Sequence, residues 1–144
     1  MPQQREAGQN NAHDRELSDF HAITWSDLGS GLVGMSGIPT LSGTGDLLAS
    51  SPITLALANA KPFSFAPLVV GVSSITAPFK GGTMVPKPDV VFPLFTDFFG
   101  GTVFGGLWPA GVPSGFATYF QWWIQDPAGP KGFAASNALA GTTP

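Results

Sequence analysis

Glycine and proline recur so often in this sequence that they constrain its fold more than any other feature. The chain has 144 residues, of which 19 are Gly and 14 are Pro. After Trp25 the longest stretch free of both is FATYFQWWIQD, residues 116–126. Proline removes a backbone donor and glycine destabilises a helix interior, so we expect no long helices there. Short strands that end at turns are the regular structure that such a sequence can still form, so it predicts an all-β fold.

Apolar or alternating runs lie between the predicted turns and indicate where the strands are. The clearest is 116–125, in which alternate residues from Phe116 to Ile124 would face the core and the others, including Trp123, would form a mixed outer face. We predict about seven or eight short strands in an antiparallel β-sandwich of jelly-roll or Ig-like type. The other candidate strands are 47–48 with its flanks, 53–58, 68–73, 90–95, 102–107 and 134–140.

Charge divides the chain into a polar N-terminal arm, residues 1–24, and a charge-poor domain, residues 25–144. Residues 28–144 hold four Asp and four Lys, which is eight charges in 117 residues. Soluble domains usually have roughly 25% charged residues. A surface with so little charge repels its own copies weakly, which favours association. It also lacks the basic footprint of a nucleic-acid-binding protein, so we predict no nucleic-acid partner.

The hydropathy of the chain bears on membranes and export. No apolar run approaches the roughly 18–20 residues that a spanning helix needs, so we predict no membrane span. The first 20 residues, MPQQREAGQNNAHDRELSDF, contain no apolar segment of the secretory kind. We therefore expect no signal peptide in this chain.

The segment DLGSGLVGMSG contains Gly29, Gly31 and Gly34 in the order G-x-G-x-x-G, the pattern of a dinucleotide-binding turn. That turn needs a helix that begins within it and an acidic residue about 20 positions further on. Here Pro39 interrupts any helix, and the next acid, Asp46, lies 12 residues after Gly34. We interpret the glycines as turn and close-packing positions and predict no cofactor.

The sequence offers few groups for catalysis or metal binding. There is no Cys, and every His and Glu lies within the first 21 residues. The four Asp after residue 28 lie in or near predicted turns, where Asp commonly bonds to nearby backbone. His13, Asp14, Glu16, Asp19 and His21 could together ligate a metal, but a solvated arm is the simpler interpretation. We predict neither enzymatic activity nor a metal site.

Aromatic residues cluster in the second half of the chain, where 11 of the 17 lie between Phe92 and Trp123. Core packing explains most of them. Phe98 and Phe99 in a predicted loop, Trp108 and Trp123 are candidates for an exposed patch. Exposed aromatic side chains either anchor contacts between subunits or stack on sugar rings, so the patch would be a binding surface.

Three segments, WSDLGSGLVGMSGIPTLSGTGDL, LVVGVSS…FKGGTMVPKPD and FQWWIQDPAGPKGFAASNALAGTTP, carry a resemblance to a known type of domain. They resemble a β-rich domain that recurs at the C-termini of secreted planctomycete-type bacterial proteins. The resemblance covers about residues 25–144, and it implies an extracellular β-domain without catalytic residues. This chain differs from the usual context because only a short polar arm precedes the domain.

The first functional hypothesis is an extracellular, non-catalytic structural subunit that assembles with copies of itself, into a ring or a filament. Its contacts would be the apolar surface and the arm. A neighbour's extended arm can complete an open sheet edge by strand addition. The segment FHAITWSDL (20–28), with Phe20, Ile23 and Trp25, would make that contact.

The alternative hypothesis is a carbohydrate-binding or adhesive module of a secreted protein. It predicts that Trp108 and Trp123 line an exposed ridge. Gln121, Gln125 or Asn137 would supply polar partners for a glycan.

Overall fold

The computed structural model describes residues 24–144, and its regular structure in that range is entirely β. The prediction of an all-β fold is confirmed. The predicted strand count of seven or eight is wrong, because this range contains 11 strands. No helix that could cross a membrane occurs in it. The strands are β1 (Trp25–Gly29), β2 (Thr40–Thr44), β3 (Pro52–Ala58), β4 (Leu68–Gly71), β5 (Ser74–Phe79), β6 (Gly82–Pro86), β7 (Val90–Phe92), β8 (Thr102–Leu107), β9 (Ala117–Gln125), β10 (Phe133–Ala135) and β11 (Ala138–Thr142).

The strands form three antiparallel groups. The larger sheet has the order β1-β11-β9-β4-β7, with β10 also paired to β9, and the smaller sheet has the order β2-β3-β8. Strands β5 and β6 form a separate hairpin. Leu41 and Leu55 of the smaller sheet share one buried cluster with Leu68, Trp122 and Ile124 of the larger sheet. The main core therefore lies where these two sheets meet.

Strand β9 is buried on both faces, which corrects the predicted outer face. All five residues from Phe120 to Ile124 are buried, and Trp123 is only 1% exposed. The β5–β6 hairpin covers the side of the sheet on which Trp123 lies. The Phe79 ring meets the Trp123 ring edge-on, with ring centroids 5.0 Å apart. Lys80 and Gly81 join the two strands, with φ angles of 50° and 84°. Positive φ at both central residues is typical of the tight hairpin turn whose twist matches the strands.

Two further strand predictions differ from the structure. The predicted strand at 47–48 does not form, and the unpredicted β2 pairs with β3 instead. The predicted strand 134–140 divides into β10 and β11 around Ser136. The Ser136 hydroxyl accepts the backbone N–H of Trp122 at 2.9 Å. Because the Ser136 hydroxyl, and not a backbone C=O, accepts the N–H of Trp122, the ladder of backbone hydrogen bonds to β9 is interrupted between β10 and β11.

Trp25 and Trp108 pack into the domain, contrary to the roles predicted for them. Trp25 begins β1, which pairs with β11 of the same chain, and its ring is packed against the core. Trp108 is 7% exposed, so the prediction that it is exposed is wrong. Its indole N–H donates to the hydroxyl of Thr143 at 3.2 Å, and its backbone N–H and C=O bond to Ser51 and Ser50.

Candidate functional site

Three strongly exposed aromatic side chains of the described residues form one contiguous stack. The exposed fractions of Phe63, Phe98 and Phe99 are 73%, 66% and 87%. The Phe63 and Phe98 ring centroids are 5.9 Å apart, those of Phe98 and Phe99 are 5.3 Å apart, and the rings are close to parallel. We call these three residues the phenylalanine stack. Large apolar rings that contact one another in water are typical of a protein-contact surface.

The loop that carries Phe98 and Phe99 has a defined conformation. One carboxylate oxygen of Asp97 accepts the backbone N–H groups of Phe99 at 2.9 Å and Gly101 at 3.0 Å. Gly100 has a φ of 75°, and a Cβ at this position would overlap the backbone oxygen of Ala60. Only glycine satisfies both conditions, so the loop presents its two phenylalanines in a fixed geometry.

Backbone pairing between residues 63–66 and 94–97 holds the third ring of the stack in place. Phe63 N–H donates to the C=O of Asp97 at 3.2 Å, and Thr96 N–H donates to the C=O of Ser64 at 2.9 Å. Ser64 and Thr96 are buried, and the Thr96 hydroxyl accepts the N–H of Ser64. Phe63 lies in the turn at the start of this pairing and is exposed, whereas the adjacent Ser64 is buried.

Two pockets lie beside Phe65, which lines both. The first, the apolar pocket, has a volume of about 500 Å³ and lies between the β5–β6 hairpin and strands β4, β7 and β9. Its walls include Val69, Ile75, Phe79, Val91 and Trp123. The second, the mixed pocket, has a volume of about 460 Å³. It is lined by Lys61, Phe63, Ser64, Phe65, Gln125, Asp126, Pro127 and Gly132.

The aspartates of the domain bond to backbone, as the sequence predicts. Each of Asp46, Asp89, Asp97 and Asp126 accepts at least one backbone N–H. Asp126 is 1% exposed, and its two oxygens accept the N–H groups of Met35 and Ala128, each at 2.9 Å. These carboxylates therefore shape loops.

Of the predicted contact residues, the structure brings Phe98 and Phe99 together at the surface and confirms their exposure. Trp25, Trp108 and Trp123 lie outside the stack, and Phe20 and Ile23 lie outside the described residues. Sequence reasoning missed Phe63. Its position directly after Lys-Pro in a predicted turn was the available signal, because a large apolar residue in a turn has no core to enter.

The polar partners suggested for a glycan also have different places from those predicted. Gln121 is 0% exposed, and Asn137 bonds through its side-chain amide to the N–H and C=O of Leu41. Gln125 is exposed and lines the mixed pocket. An exposed ridge of Trp108 and Trp123 does not form.

Comparison of the chain with protein-family models, with curated proteins and with solved structures finds no match. The resemblance to a domain of secreted bacterial proteins therefore stays a prediction.

Proposed function

We propose that this protein is a non-catalytic, extracellular structural subunit that associates with copies of itself through the phenylalanine stack, and that repeated contacts build a filament. The observation that carries the proposal is the exposure of Phe63, Phe98 and Phe99 in one stack. Burial of a Phe side chain contributes about 1.5–3 kcal/mol, and contacts of this kind commonly dominate the binding energy of an interface.

Electrostatics near the stack supports close contact between copies. Asp97 is the nearest acid in sequence, and its carboxylate is occupied by backbone N–H groups. Lys61 lies near Phe63 in sequence and is half-buried, and its ammonium group donates to the Ser64 hydroxyl at 3.2 Å. Copies that approach through this surface therefore meet little like-charge repulsion.

Phe63 is one of seven non-glycine residues with a positive φ among residues 24–144, and it is the aromatic one among them. Its φ of 51° lies in the left-handed region, which a bulky side chain rarely adopts. Residues held in such conformations cost about 1–3 kcal/mol and are concentrated at functional sites. Here the strained residue also exposes a large apolar ring, which lowers the solubility of the monomer. A contact that buries the ring would offset both costs.

An open sheet edge offers a second contact. Strand β8 pairs with β3 on one side, and no described strand pairs with its other side. Its sequence, TVFGGL, contains no charged residue and no proline, the features that usually protect an edge from strand addition. The N-terminal arm of a neighbouring copy could pair there. Because Trp25 belongs to β1, the pairing segment would lie upstream of it and include Phe20 and Ile23.

We further propose that the larger sheet and the smaller sheet stack as a β-sandwich of jelly-roll or Ig-like type. Their shared buried cluster supports this arrangement, since a sandwich core forms from the inner faces of two sheets. The extracellular location rests on the resemblance stated above. Fractionation of the native source, with detection of the protein outside the cell, would test it.

The test of self-assembly compares a double variant of the stack with a control variant of another exposed apolar side chain. Phe98→Ser with Phe99→Ser removes two rings of the stack, whereas Met35→Ser removes a 59% exposed side chain that lies outside the stack and outside β8. Light scattering and negative-stain microscopy should show assemblies for the wild-type chain and the Met35 variant. The double variant should weaken association by about 100-fold or more.

Two results would refute the proposal. One is a wild-type chain that stays monomeric at high concentration, and the other is a double variant that assembles like the wild type. Deletion of residues 1–23 tests the arm separately, and we expect shorter assemblies. Unchanged assemblies would exclude the arm as a contact.

The mixed pocket favours carbohydrate binding as a second candidate function. It places the exposed ring of Phe63 beside the polar side chains of Lys61 and Gln125. A glycan array and a polysaccharide pull-down should then show binding that Phe63→Ala abolishes and Leu107→Ala leaves unchanged. Binding by a chain that remains monomeric would favour this function over the first.

A further inference from the structure

We infer that the apolar pocket binds a free long-chain fatty acid, a function separate from self-assembly. Its volume of about 500 Å³ falls within the roughly 300–1,000 Å³ typical of small-molecule sites. Its walls come from hydrocarbon, thioether and indole side chains, including Val69, Met84, Val91 and Trp123. The indole N–H of Trp123 already donates to Gln121 at 3.1 Å. The walls thus suit a hydrocarbon chain.

Two lysines lie close to residues that line this pocket. The ammonium nitrogen of Lys80 is 5.8 Å from the ring centroid of Phe79 and 5.4 Å from that of Phe133, and both rings line the pocket. Lys131 lies beside the same turn, because its Cγ would be 3.3 Å from a Cβ built on Gly81. The pocket therefore combines an apolar interior with a positively charged edge.

Neither lysine is neutralised within the described residues. The ion pair found among residues 24–144 joins Lys87 and Asp89, with nitrogen and oxygen 4.0 Å apart. Asp126 is buried and accepts backbone N–H groups, as described above. Lys80 and Lys131 are both exposed and can approach an anionic group at the pocket edge. Their charge is complementary to a carboxylate.

This combination favours a fatty acid over other apolar ligands. A neutral hydrocarbon or alcohol would fill the pocket but gain nothing from the two ammonium groups. A peptide strand would bury backbone N–H and C=O groups against walls whose side chains offer no free partner, which is costly. An unbranched chain with one terminal carboxylate places its apolar part inside and its charge at the edge.

The first test is calorimetric titration of the full chain with saturated fatty acids, from octanoate to hexadecanoate, below their micelle concentrations. We expect one molecule per chain and an affinity that rises about fourfold per added methylene until the pocket is full. The matching alcohols should bind more weakly. Absence of binding at every length, or equal affinity for acid and alcohol, would overturn the inference.

The second test locates the site with matched variants. Val91→Trp adds a large ring at a half-exposed wall residue and should reduce affinity at least tenfold, whereas Val103→Trp on β8 should leave it unchanged. Lys80→Gln with Lys131→Gln should weaken the acids about fivefold and leave the alcohols unaffected. Lys61→Gln is the charge control.

Equal binding by the two tryptophan variants would refute the pocket as the site. Equal acid affinity in the double lysine variant and the wild type would refute the charged edge. A monomeric chain that binds the acids would refute the proposed assembly and leave this inference standing.

Discussion

The side-chain oxygen of Gln121 accepts a hydrogen bond from the indole N–H of Trp123, two residues along β9, at 3.1 Å. The same oxygen accepts the backbone N–H of Val85, also at 3.1 Å. The amide nitrogen donates to the C=O groups of Thr83 at 3.1 Å and Ser136 at 3.2 Å. This buried side chain thus ties the β5–β6 hairpin to the larger sheet and fixes the tryptophan that lines the apolar pocket.

Replacement of Gln121 by Leu should therefore destabilise the domain strongly. It leaves the N–H of Val85 and the C=O of Thr83 without the partner they have in the buried interior, and each such group costs about 1–3 kcal/mol. We expect the free energy of unfolding, measured by urea denaturation, to fall by about 3 kcal/mol or more. Gln125→Leu, at an exposed position of the same strand, is the control and should change it by less than about 0.5 kcal/mol. Equal stability of the two variants would contradict this role.

The two adjacent tryptophans of β9 should respond differently to the same substitution. Both are almost completely buried, but the indole N–H of Trp122 has no hydrogen-bond partner in the described part of the chain. Trp122→Phe removes that unpaired group, whereas Trp123→Phe removes a hydrogen bond. We expect Trp122→Phe to be the less destabilising by about 1 kcal/mol in thermal or urea unfolding. The reverse order would show that packing alone decides.

Local sequence pattern predicted the strands whose burial alternates. In β3, Ile53, Leu55 and Leu57 are buried and the intervening residues are not. This alternation of apolar and other residues is the pattern that indicates a strand in the sequence. The bounds of β8 were also predicted correctly, because glycines and a proline-containing turn flank its apolar run. These elements depend on their own residues more than on distant partners.

Strands that depend on distant partners were missed. The residues SITAPF of β5 alternate poorly and include Pro78, so nothing local indicates a strand. The hairpin exists because Gln121 bonds to β6 and Phe79 packs on Trp123. For the same reason the sequence indicated an exposed Trp123, since the element that covers it was not predicted.

The candidate site was predictable only in part. Phe98 and Phe99 precede two glycines, so a loop position and exposure could be expected. The stack with Phe63 joins residues 35 positions apart in the chain, and that neighbourhood arises from the pairing of residues 63–66 with 94–97. Neither pocket could be predicted, because each needs the relative placement of several strands.

Gly31 and Gly34 of the G-x-G-x-x-G pattern are closely packed, and Gly34 gives the sharpest test. A Cβ on Gly34 would overlap the carboxylate of Asp126, whose oxygen accepts the N–H of Met35. Gly34→Ala should therefore lower the free energy of unfolding by about 1–3 kcal/mol. Gly106→Ala is the control, since nothing lies within 4 Å of its Cβ position, and we expect it to be neutral or slightly stabilising. If Gly34→Ala left the free energy of unfolding unchanged, Gly34 and the Asp126 carboxylate would not be in close contact in solution.

Phe63 should show opposite effects on stability and on assembly. Asn tolerates the left-handed backbone far better than Phe, so Phe63→Asn should raise the free energy of unfolding of the monomer by about 1 kcal/mol. The same change removes one ring of the stack and should weaken self-association at least tenfold, measured by light scattering. Phe95→Asn is the control, because Phe95 is 66% exposed, lies outside the stack and does not have a positive φ. It should give no gain in stability and little loss of assembly. If Phe63→Asn lowered the free energy of unfolding and left self-association unchanged, Phe63 would have a structural role only. The strain at its backbone would then have no functional explanation.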